Sequence, residues 1–477
     1  MKKLDENHGL SNKKLNVIMI LVDDLGATDL ACCGSDFYET PNLDALAEKG
    51  MRFVNAWATC PVCSPSRASV MTGKYPARLG LTNFIDHSGD YHPSKGFLVD
   101  APYIKSLDPG EYSLARILKD NGWKTFHVGK WHLGGRQCWP DKHGFDVNVA
   151  GCHWGMPSNG YFSPWGIPNL EDGPEGEYLP DRLGDEAVRL IEENAATGKP
   201  FYLNYWPYLV HVPIEAKSEK IEKYRRKAEE MGLDKIKTFE EGAEFKMDSK
   251  KGQPIKRRLL HSDPIYAAMI ESLDENVGKI LDAVERTGQT DNTLIIFTSD
   301  NGGLATAEGS PTCNAPYAEG KGWMYEGGTR EPLIIKLPGV TTPGSISDSY
   351  VTGTDYYPTI LEAAGLDALP TQHVDGRSFY DALCGKPYQR DAMFWHYPHY
   401  GNQGGEPGAS VIEGDYKLIK FFEDGRLELY DIVKDVSETN NISESNPEVR
   451  DRLHEILLDW QKDVAARLPG KNHDWKQ

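Results

Sequence analysis

NVIMILV, Asn16 to Val22, followed directly by Asp23 and Asp24, is the stretch on which the reading of this chain turns. Past Asn16 the run is apolar without alternation, which predicts a strand covered on both faces, as in a parallel sheet flanked by helices. The two carboxylates then fall just past its carboxyl end, where open α/β sheets form their ligand crevice. Three more runs repeat this arrangement. WKTFHV, Trp123 to Val128, delivers Lys130 and His132; FYLNYW, Phe201 to Trp206, precedes His211; and TLIIFT, Thr293 to Thr298, precedes Asp300 and Asn301. Ahead of WKTFHV, Ser113 caps a short helix with Leu114, Ile117 and Leu118 on one face, and Gly122 ends it. Strands alternating with helices predict an α/β fold with a large, mostly parallel sheet flanked by helices.

Composition narrows the classes. A chain of 477 residues is long for one core and calls for one large domain with a smaller appendage, or for two or three domains. A hydrophobic fraction of 39% with 47 glycines and 30 prolines suits a globular protein with many loops. The formal charge of −19 argues against nucleic acid as a partner, so an anionic substrate must be drawn in by local positive charge. No membrane span is expected, because the longest early apolar run, Leu15 to Val22, is far too short for a bilayer. It also lacks the form of a signal peptide, so the expected location is cytoplasmic, in keeping with eight cysteines that need not pair.

After about Gly376 the parallel rhythm stops. DYKLIKFF and RLELYDI suggest an antiparallel sheet, closed by a helix from Asn446 to about Arg467. The expected division is therefore a catalytic α/β domain over 1–375 and a C-terminal α+β subdomain over 376–477 that contributes to the substrate cleft. Residues 213–258 interrupt the first unit with 14 Lys or Arg against 10 Asp or Glu. They read as inserted helices, with either a solvated face or a lid whose Lys256, Arg257 and Arg258 attract an acidic substrate.

CSPSRASVMTG, Cys63 to Gly73, carries the chemistry. Cys63 opens a helix with a proline at an early position and Arg67 one turn on, which suits an anion held by backbone N–H groups and a guanidinium. Cys60 and Cys63 also form a CPVC pair, readable as a redox dithiol or half a zinc site. No second C-x-x-C exists, and neither alternative accounts for Pro65, Ser66, Arg67, Thr72 and Gly73. Asp23, Asp24, Asp300 and Asn301 together form an all-oxygen donor set of the kind that selects calcium or magnesium.

CSPSRASVMTG resembles the signature of the formylglycine-dependent sulfatases, with every position of the pattern filled. The resemblance continues in GWKTFHVGKWHLG (Gly122 to Gly134), LVDDLG, HVP at His211, TSDNGG (Thr298 to Gly303) and KGWMYEGGTREP (Lys321 to Pro332), and spans about residues 15 to 340. It implies an alkaline phosphatase-type α/β domain with a smaller C-terminal sheet, calcium as the metal with magnesium as the alternative, and oxidation of Cys63 to formylglycine by a maturation enzyme. By the same resemblance a hydroxyl of the hydrated aldehyde attacks sulfur, and the remaining hydroxyl then expels sulfate and regenerates the aldehyde. Arg67 and Lys130 would hold the formylglycine, His132 would be the base, and His211 and Lys321 would contact the sulfate, with His211 protonating the leaving oxygen. Glu326, Gly327, Gly328 and Arg330 of EGGTR read as shaping the loop behind the site.

The substrate is less legible. Candidate contacts are Asn83, Asp86 and His87, the aromatic segment with His153 and Trp154, and His396 and His399 within WHYPHYGNQ, Trp395 to Gln403. Aromatic faces with His and Asn donors suit a sugar ring, so a sulfated galactose or N-acetylgalactosamine, free or at a glycan terminus, is the expected substrate. The alternatives are an aryl sulfatase, a phosphonate monoester or phosphodiester hydrolase of the same superfamily, and a non-catalytic sulfoglycan-binding protein should Cys63 stay unconverted.

Overall fold

The computed structural model describes residues 14–86 and 94–475, so His87 lies outside the described residues. Among these residues the main sheet has eight strands, in the order Ser345–Ser347, Met51–Phe53, Leu333–Lys336, Thr293–Ser299, Asn16–Val22, Phe201–Trp206, Lys124–Gly129, Val147–Val149. Leu333–Lys336 is antiparallel to both its neighbours, and the other pairings are parallel. The four strands singled out by sequence are adjacent and point the same way.

Asn16–Val22 sits at the centre because both its faces need cover. Ile18, Ile20 and Val22 pack with the helices Leu179–Ala195 and Pro264–Arg286 on one side. Val17, Met19 and Leu21 pack with Ala68 and Met71 of Cys63–Thr72, and with Leu114–Asp120 and Tyr356–Ala363, on the other. Each aliphatic side chain so buried contributes roughly 1.5–3 kcal/mol. Ser113 caps its helix as expected, its hydroxyl accepting from the Arg116 N–H at 3.2 Å.

Met393–Tyr397, Gly408–Glu413, Tyr416–Phe421 and Leu427–Asp431 form a four-stranded antiparallel sheet. One face (Met393, Trp395, Tyr397, Ile412, Ile419) covers Trp57, Cys60 and Val62, just ahead of Cys63. The other (Ala409, Val411, Leu418, Leu429) receives Leu453, Leu457 and Trp460 of the helix Pro447–Asp463. A buried ionic bridge joins this sheet to EGGTR. Lys417 Nζ donates to Glu326 and Glu438, each at 2.9 Å, and Glu326 also accepts from Arg330 Nε at 2.7 Å and from Trp57 Nε1 at 3.0 Å. Gly328 is needed there, since a Cβ on it would lie 2.0 Å from the Trp323 carbonyl oxygen.

The expectation of helices across 213–258 holds for Ser218–Glu230 alone; the rest contains an antiparallel hairpin, Phe239–Glu244 with Pro254–Arg258. Its register sets Glu240 opposite Arg257 and Glu241 opposite Lys256, so charges that look like a solvated run along the chain are cross-strand neighbours. Arg257 is paired with Glu240 and Glu319, and Arg258 with Asp263. The three-cation lid is thereby corrected, because two of its members are already neutralised. The chain returns to the sheet through Pro264–Arg286, capped by Asp263, whose side chain accepts from the N–H groups of Ile265 and Tyr266. No helix among the described residues is long and apolar enough to cross a membrane.

Replacing Lys417 by Met should destabilise the fold by about 3–5 kcal/mol, because it leaves the buried Glu438 without a cation and Glu326 with Arg330 alone. Urea unfolding checks this, and an unchanged midpoint would refute the bridge.

Candidate active site

Val62 is extended and Cys63 opens a helix whose ten residues, Cys63–Thr72, are all buried; Gly73, at φ 68°, closes it. Ser66 Oγ accepts from the Cys60 N–H at 3.1 Å and donates to the Cys60 carbonyl at 3.0 Å, which folds the preceding turn onto the helix start. Cys60 and Cys63 are free thiols. The SPSR run therefore positions a side chain rather than a disulfide.

His132 arrives from the end of Lys124–Gly129. Its Nδ1 lies 3.2 Å from Cys63 Sγ and its Nε2 2.6 Å from the Ile85 carbonyl oxygen. A carbonyl only accepts, so Nε2 carries the proton and Nδ1 turns its lone pair to the sulfur, an assignment that follows from the partner. Ser64 fixes this arrangement by donating to the His132 carbonyl at 2.9 Å and accepting from the Ile85 N–H at 3.2 Å. Gly155 leaves the ring its space, since a Cβ there would meet His132 Cε1 at 2.5 Å.

Three buried carboxylates are matched by three buried cations. Arg67 donates through Nε to Asp300 at 2.8 Å, Lys130 Nζ to Asp23 at 2.7 Å, and Lys321 Nζ to Asp24 at 2.7 Å. Lys321 Nζ also lies 2.9 Å from Nε2 of His211, whose Nδ1 faces the Val212 carbonyl at 2.8 Å. The same reasoning puts the His211 proton on Nδ1 and leaves Nε2 to face Lys321. Asn301 Nδ2 donates to Asp24 at 2.9 Å. Asp24 stands at φ 60°, a left-handed conformation that aspartate tolerates better than most side chains.

Burial shapes the electrostatics, and the cations decide its outcome group by group. Burial pushes Asp23 well above the usual carboxylate range despite Lys130, whereas for Asp24 the opposing pull of Lys321, His211 and Lys130 wins and holds it low. Burial followed by Lys321 lowers His211 to about 3, so the ring is neutral. Burial also raises the Cys63 thiol against Lys130 and Lys321, leaving it protonated at neutral pH. Ligand atoms of Asp23, Cys63 and Asp300 lie within 4.8 Å of one another, as do those of Asp23, Asp24 and His211.

Above this floor lies a cavity of about 340 Å³. Cys63, His132, His211 and Lys321 open onto it, its walls include Phe84, Ile85, Asp86, Met156 and Glu308, and Asn402 and Gln403 enter from the C-terminal part. Of the substrate candidates, Asp86 is at the cavity. Asn83 stands behind it, its Oδ1 accepting from the Phe84 N–H at 2.9 Å and from Tyr397 Oη at 3.2 Å. His399 is buried, with Nε2 2.9 Å from Thr82 Oγ1. His396 is corrected to a packing residue, since both ring nitrogens are taken, by the Arg467 carbonyl at 2.9 Å and by Gln461 Nε2 at 3.1 Å. His153 lines a separate cleft with Arg136 and Trp139, and Trp154 packs half-buried against the core. The sequence reading missed Phe84, Ile85, Met156 and Glu308. The proximity of Glu308 to TSDNGG was the available signal.

Residues 15–366 match the family model described as Sulfatase, and 319–463 that of the N-sulphoglucosamine sulphohydrolase C-terminal region. A sulfatase of Formosa agariphila is 31% identical over an alignment covering 98% of this chain and 89% of its own length. The N-acetylgalactosamine-6-sulfatase of Mus musculus is 31% identical, covering 96% and 82%. The crystal structure of Ps i-CgsB in complex with k-i-k-neocarrahexaose superposes with a TM-score of 0.74 at 27% identity, covering 95% of this chain and 94% of that one. With the signature cysteine, the strand-end carboxylates and the two Lys–His sets gathered under one cavity, this chain belongs to the sulfatase family and is a sulfuric ester hydrolase.

Proposed function

We propose that the chain removes sulfate from a sulfated carbohydrate, with residue 63 in the formylglycine state and a divalent cation, calcium by preference, among Asp23, Asp24, Asp300 and Asn301. The observation that carries this reading is the convergence of Arg67, Lys130, Lys321, His132 and His211 on Cys63 beneath a cavity sized for one small ligand. The donor set fits a hard cation. Its oxygens come from carboxylates and an amide, and Asn301 Oδ1 is buried without a hydrogen-bond partner, as a ligand atom would be.

Bound there, the cation would supply charge to polarise a sulfate oxygen. Formylglycine would supply, as its hydrate, an oxygen nucleophile in place of a thiol that burial keeps protonated. The chain's own residues do the rest. Lys321 holds its ammonium at the cavity floor, where it meets a sulfate oxygen, and Lys130 and Arg67 keep Asp23 and Asp300 in place beside residue 63. His132 presents Nδ1 as the base for a proton leaving residue 63. Lys321 Nζ, donating to His211 Nε2, holds the proton the departing oxygen needs, and His211 relays it, taking that proton at Nε2 and passing it to the oxygen. Asp86, Glu308 and Gln403 offer hydrogen bonds to hydroxyls, and Phe84 and Met156 offer apolar faces. A relative named for N-acetylgalactosamine-6-sulfate and a neighbour solved with a neocarrahexaose favour a sugar over a simple aryl ester.

Cys63→Ala should lower kcat by at least about 10³-fold. Mass measurement of the peptide holding residue 63 should show the aldehyde in active protein, and activity from a pool with cysteine alone would refute the mechanism. Chelation of divalent cations should abolish turnover, with calcium restoring it; turnover that persists in chelator removes the cation from the reading. Sulfated mono- and disaccharides should be cleaved with higher kcat/KM than an aryl sulfate, and faster than the phosphate ester of the same sugar. The reverse order would select the aryl sulfatase or phosphoester alternative.

A further inference from the structure

The cavity over Cys63 is not the larger one. A second chamber, of about 1000 Å³, lies between the hairpin Phe239–Glu244/Pro254–Arg258 and the loop around Ala307–Ser310. The two cavities share Glu308 in their walls. One small-ligand volume and one at the upper end of the usual range, roughly 300–1000 Å³, therefore adjoin at a single side chain. Glu308 is itself steadied from the inner cavity's wall, accepting from Gln403 Nε2 at 3.1 Å.

The outer chamber is built in advance. The second hairpin strand is tied to the loop by backbone bonds, Arg258 N–H to the Ala305 carbonyl at 3.0 Å and Ala307 N–H to the Lys256 carbonyl at 3.2 Å. Ser310 Oγ also donates to the Lys256 carbonyl at 3.2 Å. Lys250 Nζ bonds the carbonyl of Asn402, a residue of the inner wall, at 2.6 Å. The hairpin is thus fixed at one edge of the active-site mouth.

The chamber wall sets three lysines against three glutamates, of which Glu240 is already neutralised by Arg257, so the balance is locally more positive than in the acidic protein as a whole. Lys237, Lys250 and Lys256 line the chamber, and Lys237 and Lys256 are exposed and form no ion pair among the described residues. The two cations that follow Lys256 differ, since Arg257 and Arg258 are held by carboxylates. Among the wall carboxylates, Glu240 is spent on Arg257, Glu308 accepts from Gln403, and Glu241 stands exposed across the strand pair from Lys256. Phe239 adds a half-buried aromatic wall.

We propose that this chamber binds the next units of a sulfated oligosaccharide whose terminal or internal sulfate sits over Cys63, with Lys237 and Lys256 receiving further sulfate groups. The inference rests on the carbohydrate reading above and deepens it: the preferred substrate is a multiply sulfated chain, passing over Glu308, rather than a free monosaccharide.

The test compares a sulfated monosaccharide with a multiply sulfated tetrasaccharide of the same sugar, using matured wild type and the double variant Lys237→Gln, Lys256→Gln. Both positions are exposed, so folding is not at stake. Wild type should prefer the tetrasaccharide, and the variant should lower that kcat/KM preference by on the order of tenfold, through KM, with a weaker dependence on salt. An unchanged preference overturns the proposal. Binding of the tetrasaccharide to Cys63→Ala protein, read by calorimetry, separates the two readings. If wild type turns over no saccharide, the carbohydrate reading fails. Weaker calorimetric binding in the lysine double variant still supports the chamber, and equal binding sinks it.

Discussion

Everything at this site depends on burying three carboxylates and three cations together past the ends of adjacent parallel strands. Asp23, Asp24 and Asp300 are almost wholly buried, as are Arg67, Lys130 and Lys321. Removing any such ion from water costs several kcal/mol, and only close opposite charges with further hydrogen bonds make the cluster tolerable. The pairings form chiefly because four central strands run parallel and in neighbouring positions, so that their following loops share one small volume. The sheet order therefore sets the electrostatics of residue 63.

That cluster explains the state of Cys63. A helix start and nearby ammonium groups would ordinarily lower a thiol, yet burial and the carboxylates around it prevail, and the thiol is raised. The site is poor at making a thiolate, even with His132 Nδ1 3.2 Å from the sulfur. Chemistry that begins by converting the cysteine is consistent with this environment.

The smaller sheet supports the same end of the molecule. Its inner face covers Trp57, Cys60 and Val62 ahead of the helix, and Lys417 reaches through to Glu326. The segment holding Lys321 is thus gripped from behind by a buried ionic bridge, while Asn402 and Gln403 extend from the same region to the cavity wall. A C-terminal unit distant in sequence becomes part of the cleft by packing alone.

The buried strand Asn16–Val22, the carboxylates after it, the start of the Cys63 helix, and the strand-end Lys, His and Asn residues could all be read from the chain. These features are local: an unbroken apolar run demands cover on both faces, and a polar group at its end cannot move far from it. Non-local pairing hid the remainder. The charges of 239–258 looked solvated because their partners sit across a hairpin, and His396 looked available because Arg467 and Gln461, which occupy it, come from the C-terminal helix region and the loop after it. Sequence determined which strands end in carboxylate, amide, lysine or histidine side chains and where the Cys63 helix begins. Tertiary structure alone decided which of the remaining polar side chains face the cavity, because that depends on what each meets across the fold.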